Sequence, residues 1–392
     1  MLRANSENLN GESTFDRYMD FSEIQKYLSK LQQTYPYKVQ LSTIGQSYKN
    51  ENITMVAITN DVKRKLTKKP IIFVEAGMHS REWVGVASAL YVINELVKGA
   101  GTPFTKFVEW RIVPVSNPDG YQYTWTQTDV EKNLRRPRWC NVQGLTSTDF
   151  DSYWGASGSS KRECSQIYAG KNAFSESETR AIRDAFLEVK DRIKAYVSIH
   201  NYGQFILHPP SHSEFYVNEE CSKLLDSVAI EMAQVIKNST SAKFTYGPPP
   251  KLLYPASGTS MDWAYANGNI PLVFTFELRD EGASGFLLPE DQIYLGVTEF
   301  WEAMNVVYVK VVDILKTPTA GCSPNTSSTP STPSSSPPSE PHSSRRLSIL
   351  RKGIFNEGFT GREVYMLRRS ESSEELSKSS ESSEEELRRV WF

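Results

Sequence analysis

The segment from Ile71 to Lys98 constrains the fold most. Ile71-Ile72-Phe73-Val74 is a continuous apolar run of strand length. His79-Ser80-Arg81-Glu82-Trp83 follows it at once, and an apolar, amphipathic stretch from Val84 to Lys98 comes next. A short buried run ahead of a helical period reads as strand, tight turn, helix. The turn carries a His and a Glu three residues apart. An imidazole nitrogen and a carboxylate at that spacing can enter one coordination sphere. A catalytic zinc takes three protein ligands and leaves a fourth position open.

Other segments repeat the pattern. Phe21 to Tyr35 has helical spacing ended by Pro36, and Val39 to Ile58 reads as a β-hairpin around Tyr48 to Asn52. Trp110 to Val115 reads as a strand and Asn117-Pro118-Asp119-Gly120 as a turn. Residues 126–174 read mostly as loop. Ser175 to Glu178 reads as a capping box before a helix reaching about Ile193. A buried strand over Ala195 to Ile199, a helix over 220–237, a strand over Leu272 to Leu278 and a helix over 290–315 complete the series. This alternation predicts an α/β fold: one domain with a mixed, largely parallel sheet flanked by helices. In such folds ligands gather beyond the carboxyl ends of the strands.

The expected domain spans residues 15–316, after an N-terminal extension over 1–14. Residues 317–346 form a Ser/Thr/Pro-rich linker and 347–392 a charged tail, both too poor in apolar residues to offset ordering entropy. A net charge of −2 argues against a nucleic-acid partner, and no apolar run approaches a membrane span. A monomer is expected. Met1 is not followed by an apolar leader, but Cys140 and Cys164 frame one loop and can form a disulfide, which favours an extracellular protein. Cys221 and Cys322 have no obvious partners. Asn52, Asn238 and Asn325 stand in glycosylation sequons.

His200 follows the Ala195 to Ile199 strand, so it sits at a strand end, as His79 does. It is the candidate third ligand beside His79 and Glu82. His208 and His212 are its rivals, in a Pro-rich loop. Glu277 lies at the end of the apolar run Leu272 to Phe276, where a carboxylate is costly unless paired or functional. It is either an ion-pair partner of Arg279 or a general base beside the metal.

His79-x-x-Glu82, Asn117-Pro-Asp-Gly-Tyr121, His200 and Phe274-Thr-Phe-Glu277-Leu-Arg-Asp280 occur in the order found in zinc metallocarboxypeptidases of the carboxypeptidase A type. The chain resembles that family from about Phe15 to Val312. The resemblance implies one Zn2+ held by His79, Glu82 and His200, with Glu277 as base and Arg136 stabilising the oxyanion. It implies that Tyr254 closes over the substrate and that Arg81 and Tyr202 flank the peptide. Cys140 and Cys164 match the family's disulfide. The substrates implied are peptide and protein C-termini. Met261 falls at the family's pocket floor, where an apolar residue favours apolar or aromatic C-terminal side chains.

The pattern departs at one place. Members usually carry an Asn-Arg pair there that clamps the terminal carboxylate, and an Asp that orients the first ligand. Aligned on Phe150-Asp151, this chain has Ser147-Thr148 at the clamp and Leu145 at the Asp. Asp149 or Asp151 is a candidate replacement acid, and Arg135, Arg138 or Arg162 a candidate clamp. The alternative expectation is therefore a zinc-retaining pseudoenzyme or peptide-binding protein.

Overall fold

A computed structural model describes residues 15–62, 68–98, 103–126, 149–162, 165, 167–212 and 217–316. Arg135, Arg136, Arg138, Cys140, Leu145, Ser147, Thr148, Cys164, the 1–14 extension and residues 317–392 lie outside them.

The chain opens with helix α1 (Phe21–Thr34), whose apolar stripe Phe21, Ile24, Leu28 and Leu31 is buried. Asp20 and Glu23 form a reciprocal capping box at its start. Strands β1 (Val39–Gln46) and β2 (Asn52–Ile58) form the expected antiparallel hairpin. Strand β3 (Ile71–Ala76), buried along its whole length, leads into helix α2 (Trp83–Lys98). A short helix α3 (Pro103–Phe107) precedes strand β4 (Glu109–Val113).

Asn117 to Gly120 begins helix α4 (Pro118–Trp125) rather than a free-standing turn. Asn117 accepts from the Gly120 N–H and Pro118 takes the first helical turn, so the turn residues act as a helix start. Helix α5 (Ser177–Val189) also differs from expectation, because Ser175 to Glu178 forms no capping box. Asp149, from the preceding loop, accepts from the Ser175 and Glu176 N–H groups and from the Ser175 and Thr179 hydroxyls. A tertiary cap has displaced the local one. Helix α5 gives way to a 3-10 turn (Lys190–Arg192), and strand β5 (Ile193–Asn201) follows. Strand β5 is longer than expected and contains His200.

Strand β6 (Phe205–Leu207), helix α6 (Glu219–Thr240), strand β7 (Thr245–Gly247) and helices α7 (Pro249–Leu252) and α8 (Ser260–Gly268) come next. Strand β8 (Leu272–Leu278) and the long helix α9 (Glu290–Lys316) complete the element order. The sheet runs β1-β2-β4-β3-β5-β8-β6-β7. Its central strands β4, β3, β5 and β8 are parallel, and the β2–β4 and β6–β8 pairings are antiparallel. The mixed, centrally parallel sheet matches the expected class. Its core is aromatic: Phe73 stacks on Tyr196, and Phe186 meets Phe73, Tyr196 and Trp263 edge-on or tilted. Cys221, which has no obvious partner in the sequence, is buried and disulfide-bonded, and the other three cysteines lie outside the described residues.

Glu178, in the first turn of α5, is 1 % exposed, and its Oε1 has no hydrogen-bond partner among the described residues. Burial raises its carboxyl to about 7 from an ordinary 4.5, with Asp119 and Glu176 adding to the rise against its hydrogen bonds. The folded protein therefore keeps a proton that the unfolded chain loses from pH 4.5 upward. Stability present below that pH declines as pH rises toward 7, by about 3 kcal/mol in all. Glu178→Gln is expected to flatten this decline and to be more stable than wild type above pH 7. Thermal melts from pH 4 to 8 check this; parallel wild-type and variant curves would contradict it.

Candidate metal centre and substrate cleft

The site is assembled by the turn after β3 and the carboxyl ends of β5 and β8. Strand β3 stops at Gly77, whose φ of +66° and close approach to Pro114 O and Val115 leave no room for a side chain. The chain turns, and the Glu82 N–H donates to the His79 carbonyl at 3.1 Å. That turn sets the two side chains together, with His79 Nδ1 2.8 Å from Glu82 Oε1. Gly85, at the start of α2, lies against the Ile199 carbonyl and lets the helix approach β5 closely. His200 thereby reaches the same point: its Nδ1 is 2.9 Å from Glu82 Oε2 and 3.1 Å from His79 Nδ1.

Donor atoms of His79, Glu82 and His200 all lie within 4.8 Å of one another, and no other such group of His, Cys, Asp or Glu occurs among the described residues. Two ring nitrogens and a carboxylate converging in this way fit a divalent cation. Nitrogens 3.1 Å apart can share at most one proton, so the arrangement is a poor hydrogen-bond network and a good ligand set. Burial opposes the charge on Glu82, but His79 and His200 overcome it and hold the carboxyl down at about 2. Burial would likewise depress His200, yet Glu82 raises it to about 9.

Glu277 pairs with His200 across the parallel β5–β8 register. Burial pushes its carboxyl up to about 8, with His200 opposing the rise and Glu82 adding to it. A cation in the adjacent site would favour its ionised form. Arg279 is not its partner. The Arg279 guanidinium instead grips Glu299 on α9 at 2.7 and 3.0 Å. The rival histidines are also accounted for. His208 lies between Pro209 O and Asp226, and His212 contacts Ser157 Oγ and stacks on Tyr153.

Arg81 and Tyr202 meet through a residue that the sequence did not single out. The Arg81 guanidinium carbon lies 3.9 Å from the centroid of the Phe286 ring, which packs edge-on against Tyr202 at 5.0 Å. Asp280 holds the loop that presents Phe286 by accepting from the Gly282 and Ser284 N–H groups. A lone aromatic in a Gly-rich loop has no periodicity to reveal it. Tyr254 is 61 % exposed, whereas Met261 is buried at the start of α8. Neither candidate acid can be assigned to orienting His79: Asp149 is committed to the start of α5, and Asp151 is exposed. Arg162 is exposed as well.

With this fold and donor set in view, residues 24–303 match the zinc carboxypeptidase family. The chain belongs to that family, whose cofactor is zinc and whose reaction is hydrolysis of C-terminal peptide bonds. It is 34 % identical over 285 residues to a zinc carboxypeptidase of Simulium vittatum, covering 71 % of this chain and 91 % of the relative. It is 32 % identical over 296 residues to carboxypeptidase B of Astacus astacus, covering 74 % and 95 %. Among solved structures, carboxypeptidase A of Helicoverpa armigera superposes with a TM-score of 0.70 at 28 % identity, covering 80 % of this chain and 78 % of that one. Bovine thrombin-activatable fibrinolysis inhibitor, bound to a tick carboxypeptidase inhibitor, gives 0.69 at 31 % identity, covering 77 % and 99 %.

Proposed function

We propose that the chain is an exopeptidase that removes apolar or aromatic C-terminal residues, with its zinc held by His79, Glu82 and His200. The convergence of those three side chains beside Glu277 carries the reading. When bound, zinc supplies Lewis-acid polarisation and acidifies water. Glu277 accepts a proton from the attacking water at its carboxylate and delivers it to the leaving amine. Arg136, outside the described residues, is assigned by its place in the sequence to the developing oxyanion. Tyr254 is exposed enough to swing over a bound peptide, and Arg81, Phe286 and Tyr202 form a wall for the residues upstream of the cut bond. The protein is read as exported and monomeric. No helix among the described residues is long and apolar enough to cross a membrane.

Met261 sets the proposed preference. An apolar floor leaves a cationic side chain without a counter-charge, and burying such a charge unpaired is costly. kcat/KM for blocked dipeptides ending in Phe or Leu is expected to exceed that for Lys or Arg at least tenfold. Met261→Asp is expected to reverse the order. A wild-type preference for Lys or Arg would sink the assignment.

Ser147 and Thr148 favour a second reading, in which zinc is kept but the terminal carboxylate is poorly gripped. Losing a charged hydrogen-bond partner costs on the order of 2–3 kcal/mol, roughly a hundredfold in rate or affinity. Under that reading the Ser147→Asn, Thr148→Arg double variant gains activity by about that factor. An unchanged kcat/KM would mean that another group already grips the carboxylate.

A further inference from the structure

Glu75 lies four residues before His79, in the middle of the sheet, and is 1 % exposed. Among the described residues no lysine or arginine pairs with it. Four hydroxyls surround its carboxylate instead. Ser198 Oγ is 2.5 Å and Tyr196 OH 3.3 Å from Oε1, Ser260 Oγ is 3.3 Å from Oε1, and Ser116 Oγ is 3.4 Å from Oε2. A buried carboxylate without a cation is expensive. What distinguishes this one is where its shortest contact leads. Ser198 Oγ is also 2.9 Å from His200 Nε2.

The direction of these bonds follows from proton counting. A serine hydroxyl has one proton, and an ionised carboxylate can only accept. At 2.5 Å the Ser198–Glu75 contact is a charge-assisted O–H···O bond, so the Ser198 proton points at Glu75. The Ser198 lone pairs then face His200, whose Nε2 must carry the ring proton. That tautomer leaves the Nδ1 lone pair bare, and Nδ1 is the atom that faces His79 and Glu82. Without a charged acceptor at position 75, the Ser198 proton could rotate onto Nε2 and favour the opposite tautomer, with Nδ1 protonated.

We infer that Glu75, acting through Ser198, is a positioning residue that holds His200 in the tautomer and orientation needed to ligate zinc. The other three hydroxyls share the cost of burying Glu75 but do not touch His200. This inference rests on the assignment of His200 as a ligand, and the variants separate the two.

The test measures zinc dissociation constants by competition with a chelator. Ser198→Ala and Glu75→Gln are expected to weaken zinc binding by about 10–100-fold, the usual effect of losing a partner behind a metal ligand. Tyr196→Phe removes a hydroxyl from the same carboxylate oxygen and is expected to stay within about threefold of wild type. Melting of the zinc-free variants establishes that each is folded. Nitrogen-15 spectra of histidine-labelled, zinc-free protein, recorded at a pH high enough for the His200 ring to be neutral, give a second readout, with His200 expected as the Nε2–H form in wild type and as a mixture in Glu75→Gln. His200→Ala is expected to abolish tight binding. If His200→Ala binds zinc like wild type, both the ligand assignment and the relay are overturned. If His200→Ala loses zinc while Ser198→Ala and Glu75→Gln stay within threefold, the relay alone is overturned. An equal loss in Tyr196→Phe also overturns it, because the effect would then belong to the carboxylate's burial.

Discussion

Replacing Glu277 with glutamine is expected to lower kcat by about 10²–10⁴-fold while zinc remains bound, the range for removal of a general base. Glutamine keeps the size and most of the packing of the side chain at the end of β8, so strand pairing with β5 should survive. It cannot accept the proton of the attacking water. Because Glu277 lies outside the three-residue ligand cluster, the zinc dissociation constant should change by less than about threefold. Steady-state kinetics on a blocked dipeptide, paired with metal analysis of the purified variant, make the comparison. Activity within a few-fold of wild type would remove Glu277 from the chemistry. Loss of zinc together with activity would make it a part of the metal site instead.

The second large effect concerns Glu299. Its side chain is fully buried on α9 and accepts two bonds from Arg279 and one from the Thr240 hydroxyl. Arg279, itself largely buried, follows β8 two residues after Glu277. Glu299→Ala leaves that guanidinium without its counter-charge, which typically costs 3–5 kcal/mol. For a domain of this size the melting temperature should fall by roughly 10 °C. The double variant Arg279→Met, Glu299→Leu should recover much of the loss, since an apolar pair needs no desolvation of charge. Chemical denaturation of the single and double variants measures both. A single-variant loss below about 1 kcal/mol would show that water or another group compensates Arg279.

The sequence disclosed those parts of the molecule whose physics is local. The long helices and central strands carry apolar periods over many residues, and the proposed ligands His79 and Glu82 share one turn. Strands β6 and β7 have three residues each, too few to show a period. Asn117 to Gly120 has turn chemistry, and the same residues serve as a helix start once Pro118 takes the first turn. Ser175 to Glu178 fits a capping box by type, but Asp149 claims the same donors from another segment. His200 stands out as a candidate ligand by its position after an apolar run, although the strand continues through it. Glu75, Ser198 and Phe286 carry no local signal: Glu75 meets Ser198 from another strand, and Phe286 meets Arg81 and Tyr202 from a distant loop. Their roles depend on which strands and loops become neighbours, and single-chain patterning does not specify that.

The Glu277→Gln comparison, the preference for apolar termini and the His200 relay all presuppose that this zinc site performs hydrolysis. The most direct test is release of the C-terminal residue from blocked dipeptides ending in Phe or Leu, with and without a strong zinc chelator. The expected result is release that the chelator abolishes and that added zinc restores. Release unaffected by chelation, or none at high protein concentration with zinc bound, would contradict the assignment of His79, Glu82, His200 and Glu277 as the working centre of an exopeptidase.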